Sequence, residues 1–482
     1  MDIHINRNHS SPIYQQIYNR IREMIINREL HQGYKLPSQR KLSEELGVHR
    51  NTIIRAYNML VEEGYVCVSN QKPLGYVVKN LGSEVTNKKV FSPLDQTLRY
   101  QFSACERKFL ELFQESSKEG FISFAGIYID PKKDPCRGLN KLLENVSIGD
   151  LFNKENQGTI TEIKGNICKI LKNENIYVSE KNVQLVSETN QALNYLTSLY
   201  LSPGDTILVE EPITPDNASL FRNKGINTIM VPMEKDGVSL TSLSNLIKKF
   251  KPKFFYTMPN YHNPTGATMS IEKRKKLVHI ASKVGMFLIE EDSQRDFRYT
   301  KYRLPSLYSL APNRVLYIDS FTLTFPYGIK TGYILGPENV VKTLGNIVTC
   351  EETFLNNLGQ NIFNIFFDSG LYYEHLNYLK NHYKHKRDLM CSELDKIKGK
   401  GINYWLPDGG VLLWCSLDKG IDEKKVFSKA RDRNILVMPG YLFYPYGYSG
   451  GGHIRLSFSN VTDKEIIKGI SLLGESISES QI

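Results

Sequence analysis

The stretch Leu36–Val66, LPSQRKLSEELGVHRNTIIRAYNMLVEEGYV, decides the first part of the fold. Pro37 prevents an earlier helix from continuing, and Ser38 behind it is a good N-cap for the next one. On that short helix Leu42 and Leu46 point inward, and Gly47 ends it. Val48 and His49 make a turn. From Arg50 onward Ile53, Ala56, Tyr57 and Leu60 fall at helical spacing, and Gly64 closes the segment. Arg50, Asn51, Thr52 and Arg55 are left on the polar, outward side. Upstream, Ile13, Ile17, Ile21 and Ile25 recur every four residues and mark another helix. Downstream, YVCVSNQKPLGYVV (65–78) reads as two short strands joined by a turn containing Pro73 and Gly75. Helix, helix, turn, helix and hairpin in this order is a winged helix-turn-helix, whose second helix-turn-helix helix enters the DNA major groove.

Charge agrees with a polyanionic partner for this region. Residues 1–80 carry 11 Lys and Arg against 7 Asp and Glu, so they hold +4 of the formal +10 of the 482-residue chain. Arginine and amide side chains at a helix N-terminus suit both phosphate clamping and base-edge reading. Arg40, Arg50, Asn51, Thr52 and Arg55 are therefore the candidate contacts to a double-stranded DNA operator.

Residues 80–94, NLGSEVTNKKVFSPL, are polar and aperiodic and read as part of a linker. Beyond about residue 120, apolar runs alternate with helical stretches. The runs lie at 207–212, 226–232, 253–259, 285–292, 314–321 and 331–337; TSLSNLIKKF (241–250) and EKRKKLVHIASKV (272–284) are two of the helical stretches. This alternation is the signature of a mainly parallel α/β sheet, with a ligand expected beyond the strand ends. The last hundred residues read as a smaller α+β region. The expected layout is a winged helix at 11–80, a linker at 81–115, a large domain at 116–370 and a small one at 371–482. The seven cysteines are scattered with no CxxC pair, so reduced thiols and no metal site are expected. No 18-residue apolar run occurs and no signal-peptide pattern opens the chain, so a cytoplasmic protein without membrane spans is expected.

The N-terminal stretch resembles the DNA-binding domain of GntR-type bacterial repressors, through its LPSxRxL core and the VHRNT turn. Two departures are visible: His49 stands where Ser or Thr usually caps the recognition helix, and the wing has one glycine where the family often has two. The remainder resembles fold-type-I aminotransferases. The matches are His262-Asn263-Pro264-Thr265-Gly266, Ser320-Phe321-Thr322, Lys330-Thr331-Gly332-Tyr333, Pro407-Asp408-Gly409-Gly410 and His453-Ile454-Arg455-Leu456. Together the two parts look like the MocR subgroup of GntR regulators, in which an aminotransferase-like domain senses a ligand. The resemblance implies a multidomain fold, a winged helix followed by a fold-type-I α/β domain with a smaller C-terminal α+β subdomain. It also implies a homodimer, in a head-to-tail arrangement, and a pyridoxal phosphate (PLP) cofactor.

Carried over residue by residue, that cofactor site is degenerate. SFTLTFPYGIKTGY (320–333) puts Leu323 at the position of the Schiff-base lysine and Lys330 at that of an arginine. Leucine cannot form an imine. Glu291 replaces the aspartate that pairs the pyridine nitrogen, Ser293 a tyrosine, Glu188 a phosphate-cradle glycine and Thr214 the stacking aromatic. Asn263, Thr322, Lys330 and Arg455 remain as candidates for holding a cofactor or a small acid or amino compound as effector. Plainer roles stay open: Asn263 suits the turn before Pro264, and Arg455 suits a structural ion pair. The expectation is a DNA-binding transcriptional regulator without catalytic residues, with PLP lost or bound non-covalently. Its rivals are a PLP-dependent aminotransferase, PLP sensing through Lys330 as a displaced lysine, and a scaffold that only dimerises.

Overall fold

Ser38 starts its helix as its side-chain chemistry requires: the hydroxyl accepts a hydrogen bond from the Lys41 amide at 3.2 Å. The protein is described by a computed structural model over residues 3, 12–26, 30, 33–68, 75–78, 102–128, 136, 138–144, 146–147, 149, 157–325, 329–351, 357–445 and 452–481. It divides into two compact units, Met1–Ala104 and Cys105–Ile482.

In the first unit, helices α1 (Ile13–Ile26), α2 (Gln39–Leu46) and α3 (Arg50–Glu62) precede strands β1 (Val66–Val68) and β2 (Tyr76–Val78). The strands pair antiparallel with Val66 opposite Val78. Gly47 ends α2 at φ 59°, a left-handed conformation that suits glycine. Ile17, Ile21, Leu42, Ile53, Ala56, Tyr57 and Leu60 are all completely buried in one cluster. Tyr57 spans that core and donates its hydroxyl to the Pro37 carbonyl at 2.8 Å. The helix-helix-turn-helix-hairpin order read from the sequence is thus the order found. Pro73, expected in the wing turn, lies outside the described residues.

The second unit is built on strands β3 (Ile122–Ser123), β4 (Val183–Val186), β5 (Thr206–Glu211), β6 (Asn227–Glu234), β7 (Gly237–Val238), β8 (Phe254–Thr257), β9 (Phe287–Glu291), β10 (Val315–Ser320) and β11 (Gly332–Leu335), followed by β12 (Ile402–Tyr404), β13 (Leu412–Leu417), β14 (Ile435–Leu436), β15 (Met438–Pro439) and β16 (His453–Ser457). Eight of them form one sheet in the order β4-β11-β10-β9-β8-β5-β6-β7. Its centre, β6-β5-β8-β9-β10, is parallel, while β11 pairs antiparallel with both β10 and β4. Strand β4, Val-Gln-Leu-Val, was not among the six apolar runs; even its glutamine is buried. Apolar clusters cover both faces of this sheet, which is why its strands read as continuous apolar runs.

The smaller layer is the antiparallel sheet β12-β13-β16-β15 with helices Leu371–Ile397, Glu423–Asp432 and Asp463–Ser478. Residues from early in the unit join it: β3 pairs parallel with β14. Of the expected 81–115 linker, residues 81–101 lie outside the described residues, and its last part is helical. Residues Ala104–Glu115 form helix α4, which packs on the second unit. Glu106 accepts from Arg222 at 2.6 Å, Glu115 accepts from Arg431 at 2.7 Å, and Leu112 is completely buried. The small layer therefore draws on residues near 122 as well as on 371–482.

Candidate functional site

On the first unit, α3 presents Arg50, Asn51, Arg55 and Asn58 to solvent, with Thr52 half-buried. His49 takes the N-cap position: its Nδ1 accepts from the Asn51 amide at 3.3 Å, the role usually given to a hydroxyl. Arg50 donates to Gln39 Oε1 at 3.3 Å, which ties the start of α3 to the start of α2. Arg40 stays highly exposed beside Glu44, 3.2 Å away, a pairing that an anion displaces at little cost. Arg55 stacks over the Tyr14 ring at 3.9 Å, so its guanidinium is oriented from below while its residue stays exposed. Asn58 was missed in the sequence; it lies on the same face as Asn51 and Arg55, at helical spacing.

On the second unit, the carboxyl ends of the parallel strands gather the other candidates. After β5 the chain turns through Thr214 into the helix Pro215–Asn223. After β8 it reaches Asn263, after β9 it reaches Ser293, and after β10 it reaches Thr322 and Leu323. Arg455 arrives from β16 and is 1 % exposed. Its Nη1 donates to Asn263 Oδ1 at 3.0 Å, its Nη2 donates to the Ala125 carbonyl at 2.6 Å, and its guanidinium lies 5.0 Å from the Phe443 ring centre. Among the described residues no carboxylate lies within ion-pair distance of it, so the plain ion-pair role is not the one found. Burial pulls its pKa down to about 9, opposed by the charge of Asp216.

Glu291 is buried at the end of β9. It accepts from the Tyr256 hydroxyl at 2.5 Å and from Ser293 at 3.0 Å, and Asn217 donates to Tyr256 at 2.8 Å. Burial raises the Glu291 pKa. Lys330 Nζ lies 2.8 Å from Glu188 Oε1, beside the start of the helix Thr189–Tyr200. Leu323 is 9 % exposed and belongs to an apolar cluster with Phe124, Phe297 and Leu379. Several buried polar atoms have no hydrogen-bond partner among the described residues: Thr214 Oγ1, Asp216 Oδ1, Asn217 Oδ1, Thr322 Oγ1 and Arg455 Nε. Asn263 and Arg455 are thus brought together, and Lys330 is held by Glu188. Asp216, Asn217 and Tyr256 were missed; no local pattern marks them, because their roles arise where the helix after β5 meets β8.

Two family models match in this order: "Bacterial regulatory proteins, gntR family" over residues 13–75, and "Aminotransferase class I and II" over residues 130–473. The chain belongs to the aminotransferase class I and II family. With the GntR-family domain in front, it has the MocR arrangement. The uncharacterized HTH-type transcriptional regulator YisV of Bacillus subtilis is 27 % identical over 98 % of this chain and 97 % of its own. A second B. subtilis HTH-type transcriptional regulator, YdfD, is 27 % identical over 97 % of both chains. Among solved structures, the Pyrococcus horikoshii kynurenine aminotransferase superposes with a TM-score of 0.71 at 26 % identity, covering 81 % of this chain and 97 % of that one. The aminotransferase family thus extends over most of the second unit, leaving out its first helix and strand and its last nine residues, and the regulators over both units.

Proposed function

We propose that this protein is a DNA-binding transcriptional regulator of the MocR type. In this reading its aminotransferase-like unit binds an effector, dimerises and holds no covalent PLP. The exposed Arg50-Asn51-Arg55 face on a capped recognition helix carries the DNA-binding half of this reading. Arg40, Arg50, Asn51, Thr52 and Arg55 are assigned to the operator, with Arg50 and Asn51 nearest the end of α3 that reads base edges. A homodimer would pair two such helices on two half-sites.

The observation that carries the second half is Leu323, packed in an apolar cluster where the family's imine-forming lysine would stand. Three further contacts support it. Glu188 and Lys330 are paired at 2.8 Å where the phosphate would lie, and a phosphate dianion beside Glu188 is repelled. Glu291 already accepts two hydrogen bonds, from Tyr256 and Ser293. Thr214 has no ring to stack on a cofactor. These residues do not fit covalently held PLP. Arg455, Asn263, Thr322 and Lys330 are assigned to an effector, with a carboxylate at Arg455 relieving its buried charge.

Two experiments test the two halves. Duplexes selected from a random pool by the full-length protein should bind the Arg50→Ala variant weaker by about 1–3 kcal/mol, as expected for loss of one base-reading guanidinium. Equal affinity would remove α3 from the interface. Incubation with PLP and borohydride should leave the wild-type mass unchanged; an adduct mapped to Lys330 would overturn the loss of covalent binding.

A further inference from the structure

A second cleft is lined by residues that follow β8 and β9, and neither Leu323 nor Arg455 is among them. It is an open cleft, its roughly 380 Å³ of empty space shared with solvent, lined by Glu174, Tyr261, Asp292, Arg295, Arg298 and Arg303 among others. Most of its charges are spoken for. Arg303 pairs with Glu174 at 2.6 Å. Arg295 pairs with Asp319 at 3.0 Å and donates to Tyr333 at 3.0 Å. Asp292 accepts from Asn260 at 2.7 Å and from Tyr317 at 2.9 Å. Asp296 lies 3.4 Å from Arg295.

Arg298 is the exception. It is half-buried, its Nε is shut off from solvent, and it has neither an acceptor nor an ion-pair partner among the described residues. The helix Leu371–Ile397 packs against the same segment: Tyr383 meets Phe297 edge-on at 5.2 Å, and Arg387 lies over Tyr299 at 4.7 Å. One turn before Tyr383 on that helix stands Lys380, also half-buried and without a hydrogen bond or ion pair among the described residues. Burial, and then the charges of Arg298 and Arg303, pull its pKa down. Cations gathered in a concave, partly desolvated place are unfavourable unless an anion joins them.

The cleft also offers a neutral donor. Tyr261 is 5 % exposed and lines it, and its hydroxyl has no hydrogen-bond partner among the described residues. Its backbone sits at φ 51°, a left-handed conformation that is costly for a bulky residue. Gly409 makes room for the ring: a Cβ there would come within 2.2 Å of it. Strain at a ligand-facing residue is a feature of binding sites rather than of plain cores.

We propose that this cleft is a second ligand site, for a small oxyanion of the dicarboxylate or phosphate type, held by Arg298 and the Tyr261 hydroxyl, with Lys380 adding positive charge from the neighbouring helix. A guanidinium fork suits two oxygens of either group. The proposal does not depend on what fills the pocket at Arg455. The test is calorimetric titration of the full-length protein with succinate and, separately, with inorganic phosphate, at ionic strength held constant with sodium chloride. Saturable binding of at least one is expected, and the one that binds names the class. Arg298→Ala should weaken it by about tenfold or more, the usual consequence of losing a charge-assisted hydrogen bond. Lys380→Met should weaken it too and carries the test if Arg298→Ala does not fold. No saturable binding of either anion, or binding that survives both substitutions, overturns the proposal.

Discussion

At the scale of single residues, burial decides which groups act as charges. Glu210 and His262 are both buried, with His262 Nε2 3.5 Å from Glu210 Oε2. Glu210 accepts from Thr257 at 2.6 Å and from the Met258 amide at 2.8 Å, yet desolvation pushes it up from 4.5 to about 7. Between those values the folded chain keeps a proton that the unfolded chain has released, so this group costs stability as pH rises through the window. His262 acts in the opposite sense. Desolvation lowers it from 6.5 to about 3, so it costs stability as pH falls through that range. In Glu210→Gln the amide oxygen keeps the Met258 bond and the charge is gone. The melting temperature of this variant relative to wild type should climb from pH 5 to pH 8. A constant difference across that range would mean that Glu210 keeps an ordinary carboxylate pKa.

At the scale of elements, helix ends matter more than helix interiors. The recognition helix begins on an imidazole nitrogen rather than a hydroxyl, and the sequence departure at His49 is therefore a substitution of one acceptor for another. His49→Ala should cost about 1 kcal/mol of the stability of the first unit, the usual cost of losing an N-cap. Thermal unfolding of residues 1–103 against the same fragment carrying the substitution measures it, and His49→Ser should recover the loss. The helix Pro215–Asn223 shows the converse. Thr214 is at its N-cap position but makes no side-chain cap, and the hydroxyl is left buried without a partner among the described residues. A good capping residue that does not cap, next to Asp216 and Asn217, groups three buried oxygens without a partner among the described residues at one helix start.

At the scale of the whole molecule, the boundary between the units falls at residue 104. The helix α4 brings Phe109 against Phe443 at 6.0 Å, besides the ion pairs of Glu106 with Arg222 and of Glu111 and Glu115 with Arg431. A chain starting at residue 102 should fold, whereas one starting at 116 should melt well below it or aggregate, because it uncovers Phe443 and leaves Arg222 and Arg431 without their carboxylates. Equal melting temperatures would make α4 part of the connection after all. Such membership was not legible in the sequence, where the amphipathic residues of α4 follow a polar stretch with no break. The sequence by itself determined what depends on neighbours along the chain. The winged helix follows from Pro37, Ser38, Gly47 and the spacing of Ile53, Ala56, Tyr57 and Leu60. The α/β sheet follows from its apolar runs. Only the tertiary structure decided which distant groups meet. Asn217, Tyr256 and Glu291 come from three strand ends, and Arg387 lies over the Tyr299 ring across more than eighty residues of chain. Periodicity records the face a side chain turns inward, whereas the partner it finds there depends on strand order and on the packing of separate layers.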